Sequence, residues 1–515
     1  MSTNRPVPVL MIALDAAEPR LIEQWMNDGT LPNLKRLRAK GCYGRLASTA
    51  DWLAGSPWPT FYTGTTPAEH GLYHTRQWRA DQMRHFPVSP DWLPLHPFWR
   101  DLSETGHRVV AVDIPMTYPL EPFNGVEIYG WAAHDRLVRK CTPTAYPPSA
   151  MDLVRRELGL EATPLGDEPY GVRHTNALLQ MRDQIIRATC QVADLAKALM
   201  RRETWDLFMV AFAATHRGGH KLWDLSGVWG DTRPGDLAEF SHALRDVYVA
   251  CDKAVGQLTK TAGDGVTMLV FSLHGMGPNR NRVCLLPTML APILGKEAKY
   301  SILQRLKEYI PIESRLMVSR SLPLSLLYKF YSYWRVGSID WTATPAISLV
   351  ADLQGYIRIN LRGREAAGIV EPGEEYDRLC TAIAEGLSTF VDADTGKPVV
   401  ESVIRTDQLF KQGRRLNNLP DLIVRWASSP AANHREIVSA RYGSIPWPLP
   451  KRHPTGRSGN HRPEGFLLAV GGGIQPDSRI ENAHILDLAP TVCALLNAPR
   501  PTEMCGKVLS AIQPG

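Results

Sequence analysis

Apolar runs that stop abruptly at a polar or titratable residue alternate along this chain with longer stretches in which apolar residues recur every three or four positions. Val7 to Leu14, Leu207 to Ala214, Val266 to Ser272 and Phe466 to Val470 are continuous apolar runs. Runs of this length read as strands covered on both faces, as in the interior of a mostly parallel sheet. Leu178 to Leu199 and Leu237 to Leu258 carry the three-and-four spacing and predict two long amphipathic helices. Shorter helices are expected after Pro19, before Gly41, over Pro97 to Thr105 and over Ile485 to Leu496. The alternation of strand and helix predicts an α/β fold, a doubly wound sheet with helices on both faces. Residues 278–345 break the rhythm with proline-bounded helical pieces such as Ile302 to Tyr309 and an aromatic cluster, Tyr328, Phe330, Tyr331, Tyr333 and Trp334. This segment reads as a cap-like insertion over the rim, between core segments 1–277 and 346–515. From Ala346 the chain returns to strands, at Ala346 to Val350, Gly355 to Asn360 and Asp421 to Trp426, with a helix over Glu374 to Phe390.

The polar residues that end the apolar runs are chemically selective. Asp15 ends the first strand, His216 and His220 follow the Leu207 strand, His274 follows Ser272, and His461 precedes the Phe466 strand. Sheets of this type place their chemistry at the carboxyl ends of the strands. If a helix begins after Thr215, His216 and His220 lie one turn apart on one face, and neutral imidazoles there can hold one metal ion. Two surface histidines and an Asp15 that merely caps a helix are the plain alternatives. Ser56, followed by Pro57, opens a helix in a stretch dense in Ser, Thr, Gly and Pro. Its hydroxyl either caps that helix or attacks a phosphate at a terminus whose N–H groups favour negative charge.

Composition narrows the partners. Lys plus Arg is 58 against 52 for Asp plus Glu, so the net charge of +6 tolerates an anionic substrate without making a nucleic-acid-binding surface. The polar lead and eight-residue apolar run at the N-terminus are too short for a signal peptide or a bilayer span, which makes the cytoplasm the expected location. Eight scattered cysteines read as reduced thiols.

Set side by side, the rim segments resemble those of the alkaline phosphatase superfamily, and within it the type I phosphodiesterase/nucleotide pyrophosphatase-like proteins. WPTFYTGTTPAEHGLY, Trp58 to Tyr73, is similar to the family segment that follows the nucleophile; THRGGH looks like its D-x-x-x-H ligand pair, SLHGMG its S-D-H-G, and GNHRPEG the motif of its last histidine ligand. The phrases LPDLIV and DLAPT are also family-like. The resemblance implies an alkaline phosphatase-like fold and a metal-dependent hydrolase of phosphodiester or pyrophosphate bonds. Its expected cofactor is zinc, as one or two divalent ions with manganese or magnesium possible, and its partner a small phosphate-containing substrate. His216, His220 and His461 would hold one ion, and Asp15, His274 and the nucleophile would belong to the other. A phosphotransferase or phosphomonoesterase on the same site, or a degenerate member that binds without turnover, are the alternatives. Three departures stand out: His216 occupies an aspartate position, Leu273 replaces the aspartate of S-D-H-G, and the equal-spacing position for the nucleophile is Ala54. Ser56 is the preferred nucleophile, with Thr60 and Thr49 as rivals, and the segment lacks the C-or-S-x-P-x-R pattern of sulfatases. An aspartate at 273 would favour a second metal if the strand end has the family geometry, and would be an ill-solvated charge if the leucine is packed.

Overall fold

The computed structural model describes residues 6–88, 95–118, 122–133, 142–159, 171, 173–228, 234–296, 339–449 and 451–512. The aromatic cluster Tyr328 to Trp334 and the helix expected at Ile302 to Tyr309 lie outside these residues. Among the described residues the central sheet has ten strands. In chain order its main strands are β1 Val9–Leu14, β2 Cys42–Ala47, β3 Val109–Val112, β4 Gly125–Tyr129, β5 Thr144–Tyr146, β6 Leu207–Phe212, β7 Thr267–Ser272 and β8 Glu464–Val470. In space they run β2-β8-β7-β1-β6-β3-β4-β5, with the short pairs Ser478–Arg479 and Ala483–His484 beside β2. Strands β7, β1, β6, β3 and β4 are parallel, whereas β8 is antiparallel to both neighbours and β5 to β4.

Side-chain alternation along β1 divides the interior into two layers. Leu10, Ile12 and Leu14 face the long helices α2, Thr175–Arg202, and α4, Pro234–Ala262, while Val9, Met11 and Ala13 face the other way. On that second side lie α1, Pro57–Thr63, and the C-terminal helix Leu488–Leu495. All six β1 residues are buried because both faces are covered, which is why the run shows no polar alternation. With helices on both faces, this mixed α/β architecture is the doubly wound one expected.

Four strands between residues 346 and 426 build a separate antiparallel sheet, Ala346–Ser348, Gly355–Ile359, Leu422–Trp426 and Val400–Arg405 in spatial order. It has its own apolar layer, closed by the helices Leu286–Ile293 and Glu374–Ser388. Its edge loop, residues 349–354, reaches the rim of the central sheet: Gln354 Nε2 donates to the carbonyls of Ala50 and Asp51 at 2.8 and 2.9 Å. The seven cysteines among the described residues are free thiols. No helix among the described residues is long and apolar enough to cross a membrane.

Candidate metal centre and active site

Three adjacent parallel strands, β7, β1 and β6, deliver His274, Asp15 and the His216–His220 helix to one rim. The helix α3, Ala214–Lys221, begins directly after β6, so both histidines stand one turn apart on a wholly buried helix. His461 arrives by another route. It lies in the strand Gly459–Arg462, which pairs antiparallel with Gly275–Pro278 and sets His461 opposite Met276. Gly459 permits the close approach: a Cβ there would lie 2.1 Å from the Gly219 carbonyl oxygen of α3. Ser458 N donates to the His220 carbonyl at 2.8 Å and locks helix and strand together.

The imidazoles converge. His216 Nε2 lies 2.9 Å from His220 Nε2 and 3.1 Å from His461 Nε2. The three rings offer ligand atoms that all lie within 4.8 Å of one another. Tetrahedral zinc with Zn–N bonds of about 2.0–2.1 Å holds its nitrogens roughly 3.3 Å apart, close to these separations. The opposite nitrogens fix the tautomers. His220 Nδ1 is 3.0 Å from the Gly459 carbonyl, which can only accept, so the proton sits on Nδ1 and the Nε2 lone pair points inward. His216 Nδ1 is 2.8 Å from Asp15 Oδ2, with the same consequence. Two lone pairs facing each other at this range repel unless a proton or a metal ion lies between them. Burial, then the charge of Arg457 and the neighbouring imidazoles, holds His220 far below the usual histidine range. Burial, then His274 and His216, does the same for His461, whose buried Nδ1 has no hydrogen-bond partner among the described residues. Neutral imidazoles are the form that ligates a metal.

The other expected site residues take different places. Asp15 is buried, with Oδ2 on His216 and Oδ1 accepting from the Trp58 indole N–H at 3.0 Å. The His274 ring lies against that of His461, centroids 4.5 Å apart, and 6.2 Å from that of His216. It does not join the converging group of three. Ser56 is fully buried at the N-terminus of α1, but its hydroxyl does not cap that helix. It donates to the Leu53 carbonyl or to Thr49 Oγ1, both 2.7 Å away. Thr49 and Thr60 continue the chain at 3.4 Å, and Thr60 Oγ1 is 3.1 Å from His70 Nε2. His70 Nδ1 accepts the Leu72 N–H, so its proton is on Nε2, and burial depresses its pKa to about 3. His70 therefore anchors the hydroxyl chain as a donor and is not a base for Ser56.

Over residues 9–429 the chain matches the family model of the type I phosphodiesterase/nucleotide pyrophosphatase proteins. The chain belongs to this family. It is a phosphodiesterase/nucleotide pyrophosphatase-type hydrolase. Among solved structures it is similar to phosphonoacetate hydrolase from Sinorhizobium meliloti 1021, in complex with phosphonoacetate at a TM-score of 0.53 and with phosphonoformate at 0.50. In both cases the identity is 12% and 96% of each chain is covered. Murine ectonucleotide pyrophosphatase/phosphodiesterase 5 in complex with AMP follows at 12% identity, with 96% of each chain covered and a TM-score of 0.49. At such identities the likeness is one of fold. No curated protein sequence matches the chain.

Against the phosphodiesterase family pattern, the position of Leu273 is decided by packing. The leucine is buried in the apolar layer that also holds Trp58, Phe61 and Phe271. Leu273→Asp is therefore expected to destabilise the fold by about 3–5 kcal/mol, the usual cost of an uncompensated buried charge, rather than to recruit an ion. Urea unfolding with and without added zinc checks this; a zinc-dependent gain in midpoint specific to the variant would reverse it.

Sequence reasoning gave no role to Trp58, His74, Asp352 or Arg457. Trp58 stood in the family-like segment, and its position at the start of a buried helix was the available signal. Asp352 arrives from the second sheet, its carboxylate 3.1 Å from His74 Nε2 and 3.5 Å from Arg457 Nη1. Its carbonyl accepts from Asn460 Nδ2 at 2.8 Å, next to His461. Burial alone would raise this carboxyl, but the His74 and Arg457 contacts outweigh it and hold the group well below the carboxylate range. No local motif marks Asp352.

Proposed function

We propose that the chain is a metal-dependent hydrolase of phosphodiester or pyrophosphate bonds, in which His216, His220 and His461 hold a divalent ion and Ser56 supplies the attacking hydroxyl. The observation that carries the reading is the convergence of three buried imidazoles, with His216 Nε2 2.9 Å from His220 Nε2 and 3.1 Å from His461 Nε2. An all-nitrogen ligand set favours zinc over magnesium, which prefers oxygen. When bound, such an ion polarises a phosphoryl oxygen and lowers the pKa of a neighbouring hydroxyl.

The protein's own groups supply orientation and exclusion of water. Asp15 and the Gly459 carbonyl orient His216 and His220. The Thr49–Thr60–His70 chain holds the Ser56 hydroxyl in one place, and full burial keeps bulk water from competing with it. Arg457, tethered by Asp352 and close enough to His220 and His461 to depress them, supplies positive charge for a phosphate oxygen.

The test compares hydrolysis of bis(4-nitrophenyl) phosphate and 4-nitrophenyl phosphate before and after chelation. Turnover should favour the diester, fall by at least about 100-fold on chelation, and return with zinc or, less fully, manganese. Chelation without effect would remove the metal from the reading. A preference for the monoester would move the assignment to a phosphomonoesterase.

A further inference from the structure

The family pattern assigns the first-strand aspartate to a second metal ion, and the contacts of Asp15 point elsewhere. Its Oδ2 faces His216 Nδ1 at 2.8 Å, and its Oδ1 accepts the Trp58 indole N–H at 3.0 Å. An indole nitrogen is a donor only, so the positive end of its N–H dipole occupies a direction from which a cation would approach Oδ1. The backbone of Asp15 is held as well: its N–H donates to the Phe212 carbonyl at 3.0 Å, and its carbonyl accepts from Thr215 Oγ1 at 2.7 Å. Thr215 precedes His216, so the end of β1 and the start of the ligand helix are a single unit. The other carboxylate that a second ion would use is absent, because Leu273 faces the apolar layer.

We infer that Asp15 is a positioning residue, the carboxylate partner that fixes His216 with its proton on Nδ1 and Nε2 directed inward, and that the centre holds one metal ion rather than two. With histidine where the family carries aspartate at position 216, the ligand gains a second ring nitrogen that must be satisfied in a buried site, and Asp15 is the acceptor within reach. A carboxylate so placed raises the basicity of the imidazole and fixes its orientation. Trp58 completes the arrangement by satisfying the remaining oxygen and closing the apolar side.

The inference rests on the proposed metal reading, and one experiment separates the two. The full-length protein, stripped and titrated with zinc, is assayed by elemental analysis and calorimetry beside Asp15→Asn, with thermal unfolding of both metal-free proteins as a control. One equivalent is expected in each, with the Kd of the variant weakened about 10- to 100-fold. A merely structural role for Asp15 would lower the metal-free Tm and leave the Kd unchanged, and that result would overturn the inference. Two equivalents in the parental protein falling to one in the variant would overturn it also, by making Asp15 a ligand. No zinc bound by the parental protein would instead overturn the metal reading, and this role for Asp15 with it. Should Asp15→Asn fail to fold, the parental stoichiometry still decides, since two equivalents contradict a one-ion centre.

Discussion

His220→Ala is expected to leave a folded protein that no longer retains metal and has lost at least about 100-fold of its diester turnover. The magnitude follows from a comparison: removal of a group one shell outside a metal typically costs 10- to 100-fold in affinity or activity, so loss of a direct ligand sets that as a floor of about 100-fold. His220 is the sharpest choice among the three because its Nδ1 is anchored on the Gly459 carbonyl, which leaves Nε2 no purpose in packing. The truncation leaves a buried cavity and an unpaired carbonyl, so some loss of stability accompanies it. Metal content is the readout that distinguishes the two effects, since a folded variant with parental metal content would show that the three imidazoles are a packed cluster and nothing more.

Ser56→Ala carries the second large effect. If Ser56 is the nucleophile, turnover of a diester should fall by roughly 10⁴-fold or more while bound metal stays at the parental level. The structural cost is small by comparison. The lost hydroxyl made its hydrogen bonds to Thr49 and to the Leu53 carbonyl, and each retains another partner, Thr60 Oγ1 for the first and the Ser56 backbone N–H for the second. A change of about 1 kcal/mol in stability is the scale for such a deletion. It is far too little to explain a loss of that size. Near-parental turnover in Ser56→Ala, with Thr60→Ala or Thr49→Ala inactive, would move the role along the hydroxyl chain; near-parental turnover in all three would mean that none of these hydroxyls attacks phosphorus.

Much of the architecture was legible because it is written in local periodicity. Strand β1 is six apolar residues in a row and α2 and α4 carry the helical spacing over about six turns, so burial on two faces and on one face respectively could be read without any contact being known. Titratable residues at the ends of such runs lie on the rim by topology alone, and this located Asp15, His216, His220 and His274. The second sheet was less legible. Its strands, such as Gly355–Ile359, are as buried as those of the central sheet, and nothing local says which sheet a buried strand joins.

The sequence by itself determined the layered α/β architecture, the family and the set of candidate ligands, since each depends on spacing along the chain or on short contiguous phrases. Only the tertiary structure decided which atoms meet. It turned Leu273 into the apolar layer, engaged both oxygens of Asp15 with His216 and Trp58, left the Ser56 hydroxyl uninvolved in capping, and carried Asp352 from the second sheet to the side of the His461 strand. The physical reason is that side-chain direction at a strand end and hydrogen-bond partners across more than a hundred residues follow from register and packing between elements, which no local pattern encodes.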